Sequence, residues 1–335
     1  MKRILACLLV CLMIPELLIG CGAKENAETE KNEITAADAA IAQQYEVQAG
    51  NLLTQSDLFP AGSSVSDWLA MCFALGGVEE DYDAYLRDLQ DYVEEQYAEK
   101  DCLSDTKATE YHRIAMTVRA LGGDPTAFGK APDGHTIDLI AEGTYAYAGD
   151  LGKQGLNGWI WALLALDCGN YTVPDDATYS RETICEQILA AQEADGGFGL
   201  MSGTSDVDIT AMALQALAPY RKQYAEQLEC ALDYLGQQMN DAGGFVSFGA
   251  ESAETEAQVL IALTALGIDP AADERFCRQG VTPAEGLARF LLEDSTYTHT
   301  LNDPYSDVMA TEQALLAVLA CRRMERDGGR LYDFT

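Results

Sequence analysis

Six stretches of this chain repeat one pattern, an Ala/Leu-rich run that is apolar nearly all round. They are DWLAMCFALGG (67–77), YHRIAMTVRALGG (111–123), GWIWALLALD (158–167), DITAMALQALA (208–218), EAQVLIALTALG (256–267) and TEQALLAVLAC (311–321). Aligning the final leucine of each gives Leu75, Leu121, Leu166, Leu217, Leu266 and Leu319, spaced 46, 45, 51, 49 and 53 residues apart. Self-similarity at such a period marks a repeat architecture in which each repeat is one supersecondary unit. A helix that is hydrophobic on every side has to be buried. Between these runs lie amphipathic segments at 82–98, 136–147, 180–194, 222–239 and 282–293, with acidic residues outside their apolar stripes. Leu86, Leu89, Val93 and Tyr97 mark one such stripe. A sixth, 36–53, precedes the first buried helix, with Thr35 and Asp38 placed for a capping box. Six buried and six half-exposed helices alternate. An open solenoid would have to cap both ends, whereas a closed ring has none. The expectation is all-α: an (α/α)6 toroid of six helical hairpins over residues 36–335.

The first twenty residues read differently. Lys2 and Arg3 precede an apolar run from Ile4 to Ile14, and a small residue, Gly20, stands before Cys21. This is the layout of a secretory signal, too short and too interrupted to span a bilayer. Leu18-Ile19-Gly20-Cys21 resembles the lipobox of bacterial lipoproteins, which implies acylation of Cys21 and cleavage before it. Ile19 is bulky for its position, and Glu16 is a charge unusually close to the apolar core. Residues 21–35 (CGAKENAETEKNEIT) are polar and poor in large apolar side chains, the composition of a disordered tether. The expected location is extracytoplasmic, with the membrane as a partner through lipidated Cys21.

Composition excludes several functions. Losing residues 1–20 removes Lys2, Arg3 and Glu16, a net +1, and takes the formal charge from −33 to −34. Nothing in so acidic a chain would neutralise phosphates, so nucleic acid is excluded as a partner, and an anionic lipid surface would repel it. Beyond Cys21 lie seven cysteines, Cys72, Cys102, Cys168, Cys185, Cys230, Cys277 and Cys321, none in a C-x-x-C pair. Cys72, Cys168 and Cys321 fall in apolar helical runs, where a thiol behaves as a small hydrophobe. A disulfide among the others remains open.

Two loops add a resemblance. Gln192-Glu-Ala-Asp-Gly196-Gly-Phe198 resembles the Q-x3-G-x-W element of terpenoid cyclases, with Phe for Trp, and residues 239–245 (MNDAGGF) look like an imperfect second copy. Over residues 36–335 the chain resembles the prenyltransferase and squalene-cyclase repeat superfamily, a toroid that hosts many chemistries. Asp206-Val-Asp208-Ile-Thr-Ala is similar to the D-x-D-D-T-A element of class II terpene cyclases, which would make Asp208 the general acid beside Asp206. The fourth position is Ile209, so the neighbouring carboxyl is missing. An aspartate there also serves simply as a helix cap. The zinc of protein prenyltransferases needs an Asp, Cys and His set; His112, His135 and His299 make no such arrangement, so no metal or other cofactor is expected.

Binding is therefore the favoured reading. In a toroid the inner-helix N-termini face one mouth of the cavity, gathering Trp68, Tyr111, His112, Trp159, Trp161, Asp206, Asp208, Glu256, Gln258 and Asp307. Aromatic and carboxylate side chains at a concave mouth form a default ligand site, for a small molecule or a surface protein. The alternative is a class II cyclase-like enzyme acting through Asp208.

Overall fold

An α-helix leaves its first N–H groups without intrahelical acceptors, and this chain supplies a side-chain acceptor at seven of the eleven α-helix starts among the described residues. The structure is a computed structural model and describes residues 60–294 and 296–335. Its α-helices are α1 (Ser64–Gly76), α2 (Tyr82–Lys100), α3 (Ala108–Ala120), α4 (Leu139–Gly143), α5 (Leu156–Cys168), α6 (Arg181–Ala190), α7 (Val207–Leu217), α8 (Ala225–Gln238), α9 (Ala253–Ala265), α10 (Pro283–Ala288) and α11 (Val308–Asp327). Side chains of Asp81, Asp138, Ser180, Asp206, Ser252, Thr282 and Asp307 cap α2, α4, α6, α7, α9, α10 and α11. At Thr282 the capping box is complete, with Glu285 reaching back to the Thr282 backbone. Strand structure among the described residues is limited to isolated bridges.

The long runs α1, α3, α5, α7, α9 and α11 carry the six aligned leucines or end just before them; the first five bury most of their residues, and α11 buries mainly its N-terminal part, Ala310 to Ala320. Apart from α2, the intervening helices are shorter than their sequence patterns. The 136–147 segment yields only α4, because Asp138 accepts the Ala141 N–H at 2.8 Å and so starts the helix late. The 282–293 segment yields only α10, after which Leu291 enters a bridge with Tyr297. On α2 the buried stripe is Tyr85, Leu89, Val93 and Tyr97; Tyr85 takes the core place expected of Leu86, because its hydroxyl reaches a buried carboxylate. The 36–53 segment lies outside the described residues, as do Cys21 and the signal segment.

Two compact units emerge from the contacts. One comprises residues 60–75, 79–234 and 332–335, the other 76–78 and 235–331. In the first, α3 packs on α4 and α5, and α5 packs on α6 and α7. Its α1, α2 and α3 share one buried polar knot. Asp67, fully buried, accepts hydrogen bonds from Tyr85 Oη (2.6 Å), Arg113 Nε (2.9 Å) and the Gly62 N–H (3.0 Å). Burial raises the Asp67 carboxyl above its ordinary range, and the Arg113 charge opposes that shift. Removing one partner of a buried pair typically costs about 3–5 kcal/mol, because the other charge is left uncompensated. In the second unit α9 packs along α11 and against α10. Every cysteine among the described residues is a free thiol.

Close approach is enforced by glycine. A Cβ at Gly158, on α5, would stand 1.7 Å from the Leu151 carbonyl oxygen. Gly203, with φ +101°, faces open space. Gly158→Ala is expected to destabilise the protein by about 3 kcal/mol through overpacking, and Gly203→Ala by about 1 kcal/mol through backbone strain alone. Urea denaturation midpoints check the contrast; equal losses would show that α5 does not pack as described.

Candidate functional site

The loops that lead into α7, α9 and α11 are built to one plan, and that plan uses residues the sequence marked as chemical. In the first copy Gln192 Nε2 donates to the carbonyls of Gly196 and Gln227, both at 2.8 Å. The Glu193 N–H reaches the Gly197 carbonyl at 2.9 Å. Phe198 is buried, its N–H donates to Thr210 Oγ1 at 2.8 Å, and its carbonyl accepts the Asp206 N–H at 2.8 Å. Thr210 Oγ1 donates to the Asp206 carbonyl at 2.6 Å, and the Asp206 carboxylate accepts the Ile209 N–H at 3.2 Å. Asp206 thus caps α7 while its main chain ties the loop to the helix.

A second copy matches the sequence expectation. The Asn240 N–H reaches the Gly244 carbonyl at 2.8 Å, and the N–H of buried Phe245 donates to Glu256 Oε1 at 2.8 Å. Glu256, fully buried, stands where Thr210 stands in the first copy. A third copy escaped sequence reasoning. The Leu292 N–H reaches the Thr296 carbonyl at 2.7 Å, and the Tyr297 N–H donates to Thr311 Oγ1 at 3.0 Å. The Tyr297 carbonyl accepts the Asp307 N–H at 2.9 Å, and Thr311 Oγ1 donates to the Asp307 carbonyl at 2.7 Å. The signal was present: Asp206 and Thr210 are four apart, as are Asp307 and Thr311, each pair behind an aromatic loop residue. No glycine pair marks this copy, which is why the pattern hid.

In the first unit Trp68 and Trp161, both half-buried, meet edge to face with ring centroids 5.2 Å apart. Tyr332 joins them at 6.4 and 6.1 Å. Trp159 packs separately, on Tyr179 at 5.4 Å. Tyr111 is buried, takes the Leu103 N–H at 2.9 Å and lies 3.4 Å from the Tyr97 hydroxyl, which itself donates to Glu142 at 2.5 Å. His112 is buried with Nε2 2.6 Å from the Gly143 carbonyl. Burial pushes its imidazole down to about 4, the carbonyl bond opposing the shift. Asp208 lies half-buried in the first turn of α7.

In the second unit Gln258 Nε2 donates to Gln313 Oε1 at 3.0 Å, and the Asp307 carboxylate caps α11, accepting the Ala310 N–H at 2.9 Å. Burial, then the charges of Asp307 and Glu254, hold the Glu312 carboxyl well above its ordinary range. Glu254 also pairs with exposed His299 at 2.9 Å. Tyr111, His112 and Glu256 are therefore committed to packing and loop closure, whereas Trp68, Trp159, Trp161 and Asp208 keep part of their surface. Among the described residues no three His, Cys, Asp or Glu side chains are grouped to hold a metal ion.

No protein-family model and no curated protein matches the chain. Among solved structures it is similar to the Candida albicans protein geranylgeranyltransferase-I complexed with GGPP, at 10% identity and a TM-score of 0.58, covering 85% of this chain and 92% of that one. A likeness at that identity shows the fold, an all-helical α/α toroid, and leaves the chemistry to the residues.

The shared plan makes Asp206 and Asp307 equivalent. Replacing either by Ala is expected to cost about 1–2 kcal/mol, the loss of one N-cap, with matching shifts in urea midpoint; a loss at Asp307 alone would break the equivalence. His112 sets a pH dependence. Its folded value of about 4 lies below the ordinary 6.5, so between them the unfolded chain takes up a proton that the folded chain refuses. Its contribution to stability is complete above pH ~6.5 and falls as pH drops towards ~4, by about 3 kcal/mol at most. Denaturation at pH 7 and 4.5 should show this slope in the wild type and lose it in His112→Asn.

Proposed function

We propose that this protein is an extracytoplasmic lipoprotein, tethered through acylated Cys21, whose toroid binds a ligand rather than transforming one. The observation that carries the reading is the first-unit aromatic cluster of Trp68, Trp161 and Tyr332. Aromatic rings packed against one another, two of them on helices, offer large contact area at little entropic cost on binding. The cyclase-like residues support the same conclusion. Asp206 is engaged as a helix cap, and the same element recurs at Asp307, where the sequence is Asp-Val-Met-Ala-Thr. A device repeated in a copy with no second aspartate serves loop closure, not proton transfer. The ligand class is a small molecule or surface protein with a flat apolar or cationic face, which indole rings and an acidic exterior both favour.

Membrane attachment rests on the lipobox-like residues 18–21. No helix among the described residues is long and apolar enough to cross a membrane.

Two measurements test the reading. Native mass spectrometry of the protein from its own host should reveal a co-purifying small molecule or a protein partner, lost in Trp161→Ala, and the mature mass should carry the acyl chains that Cys21→Ser abolishes. The chain's only tryptophans are Trp68, Trp159 and Trp161, so quenching of indole emission by the isolated ligand reports on this unit alone. Cyclisation of a polyprenyl substrate that disappears in Asp208→Asn would overturn binding in favour of catalysis.

A further inference from the structure

The segment 332–335 (YDFT) belongs to the first unit and lies there as a peptide lies in a binding cleft. Both polar groups of one of its residues are taken by the unit: the Phe334 N–H donates to the Cys168 carbonyl at 2.7 Å, and the Phe334 carbonyl accepts from the Arg119 guanidinium at 2.8 Å. Two residues earlier Tyr332, 6% exposed, places its ring against Trp68 and Trp161. Main-chain pairing that ignores side-chain identity, combined with one pocket for a defined side chain, is how extended peptides are recognised. The cleft also carries more polar capacity than this segment uses. Arg119 Nε and the Tyr171 hydroxyl are buried, and neither has a hydrogen-bond partner among the described residues. Arg119 acts electrostatically on both Tyr171 and Cys168, which puts these groups in one neighbourhood.

We propose that this cleft, formed by α1, α3 and α5, is a peptide-binding site whose resident occupant is the chain's own 332–335 segment. The exchanging ligand is an extended segment of a partner protein with an aromatic side chain two residues before the residue whose N–H and carbonyl are held. Cys168 supplies the acceptor, Arg119 the donor, and Trp68 with Trp161 the aromatic pocket. The resident segment competes in cis at a high effective concentration, so a partner engages only when it brings a better anchor than Tyr332 or when the segment is drawn away. This rests on the aromatic-face reading of the proposed function and deepens it by naming the partner's chemistry and the built-in competitor.

Amide exchange and peptide binding test the idea on the mature chain. If the segment is exchangeable, the Phe334 amide should exchange at least ~100-fold faster than the core amides of α3 and α5, because it opens locally rather than with the whole fold. Exchange of Phe334 only with global unfolding would overturn the proposal, and this measurement needs no substitution. A fluorescein-labelled peptide of sequence LYDFT should bind Tyr332→Ala at least tenfold more tightly than wild type, and the same peptide with Tyr replaced by Ala should lose that binding. Equal binding to both proteins, or to both peptides, would count against the cleft. Each result stands apart from the ligand search above: a wild-type protein that co-purifies with no ligand can still exchange its segment, and the reverse also holds.

Discussion

Burying an apolar helix is cheap along its length and expensive at its start, where N–H groups without acceptors would be shut away from water. The three loop closures before α7, α9 and α11 solve this in one way. A residue in the first or second helical turn, Thr210, Glu256 or Thr311, turns back to hold the N–H of a buried aromatic, Phe198, Phe245 or Tyr297. A side-chain cap from Asp206, Ser252 or Asp307 satisfies the helix itself. The rest of each repeat depends on this junction, because it sets where the inner helix begins and anchors the aromatic that fills the space beside it.

The other polar groups of the interior follow the same accounting with a different balance. Asp67 accepts hydrogen bonds from Tyr85, Arg113 and Gly62, which oppose the upward shift that burial imposes on its carboxyl. Glu312 is raised chiefly by burial, and its neighbours Asp307 and Glu254 add to that shift. His112 faces a carbonyl and apolar surroundings, so it stays neutral well below the ordinary imidazole range. Burial is the leading cause in all three, moving the two carboxyls up and the imidazole down, while the neighbours oppose or reinforce the shift.

The likeness to a protein prenyltransferase at 10% identity shows how little of such a fold is tied to particular residues. Inner helices need small and apolar side chains; their entry loops need a cap and an aromatic. Those demands leave the surface free for other work, and here it includes two half-buried tryptophans against a segment of the same chain.

The sequence alone determined the helical repeat, because an all-apolar Ala/Leu run of eleven or so residues admits burial as a helix and little else. It also marked two of the three loop closures through their glycine pairs, and it identified Asp206, whose capping option was visible beside the catalytic one. Tertiary structure decided what distance along the chain conceals. The third closure has no glycine pair and relies on Thr311 meeting Tyr297. The Asp67–Arg113 pair joins residues 46 apart, and Tyr111 and His112, expected at a ligand mouth, are turned inward by neighbours on α2 and α4. Tyr332 meets Trp68 from the far end of the sequence. Such pairings obey geometry between helices, and no local periodicity encodes which faces will touch.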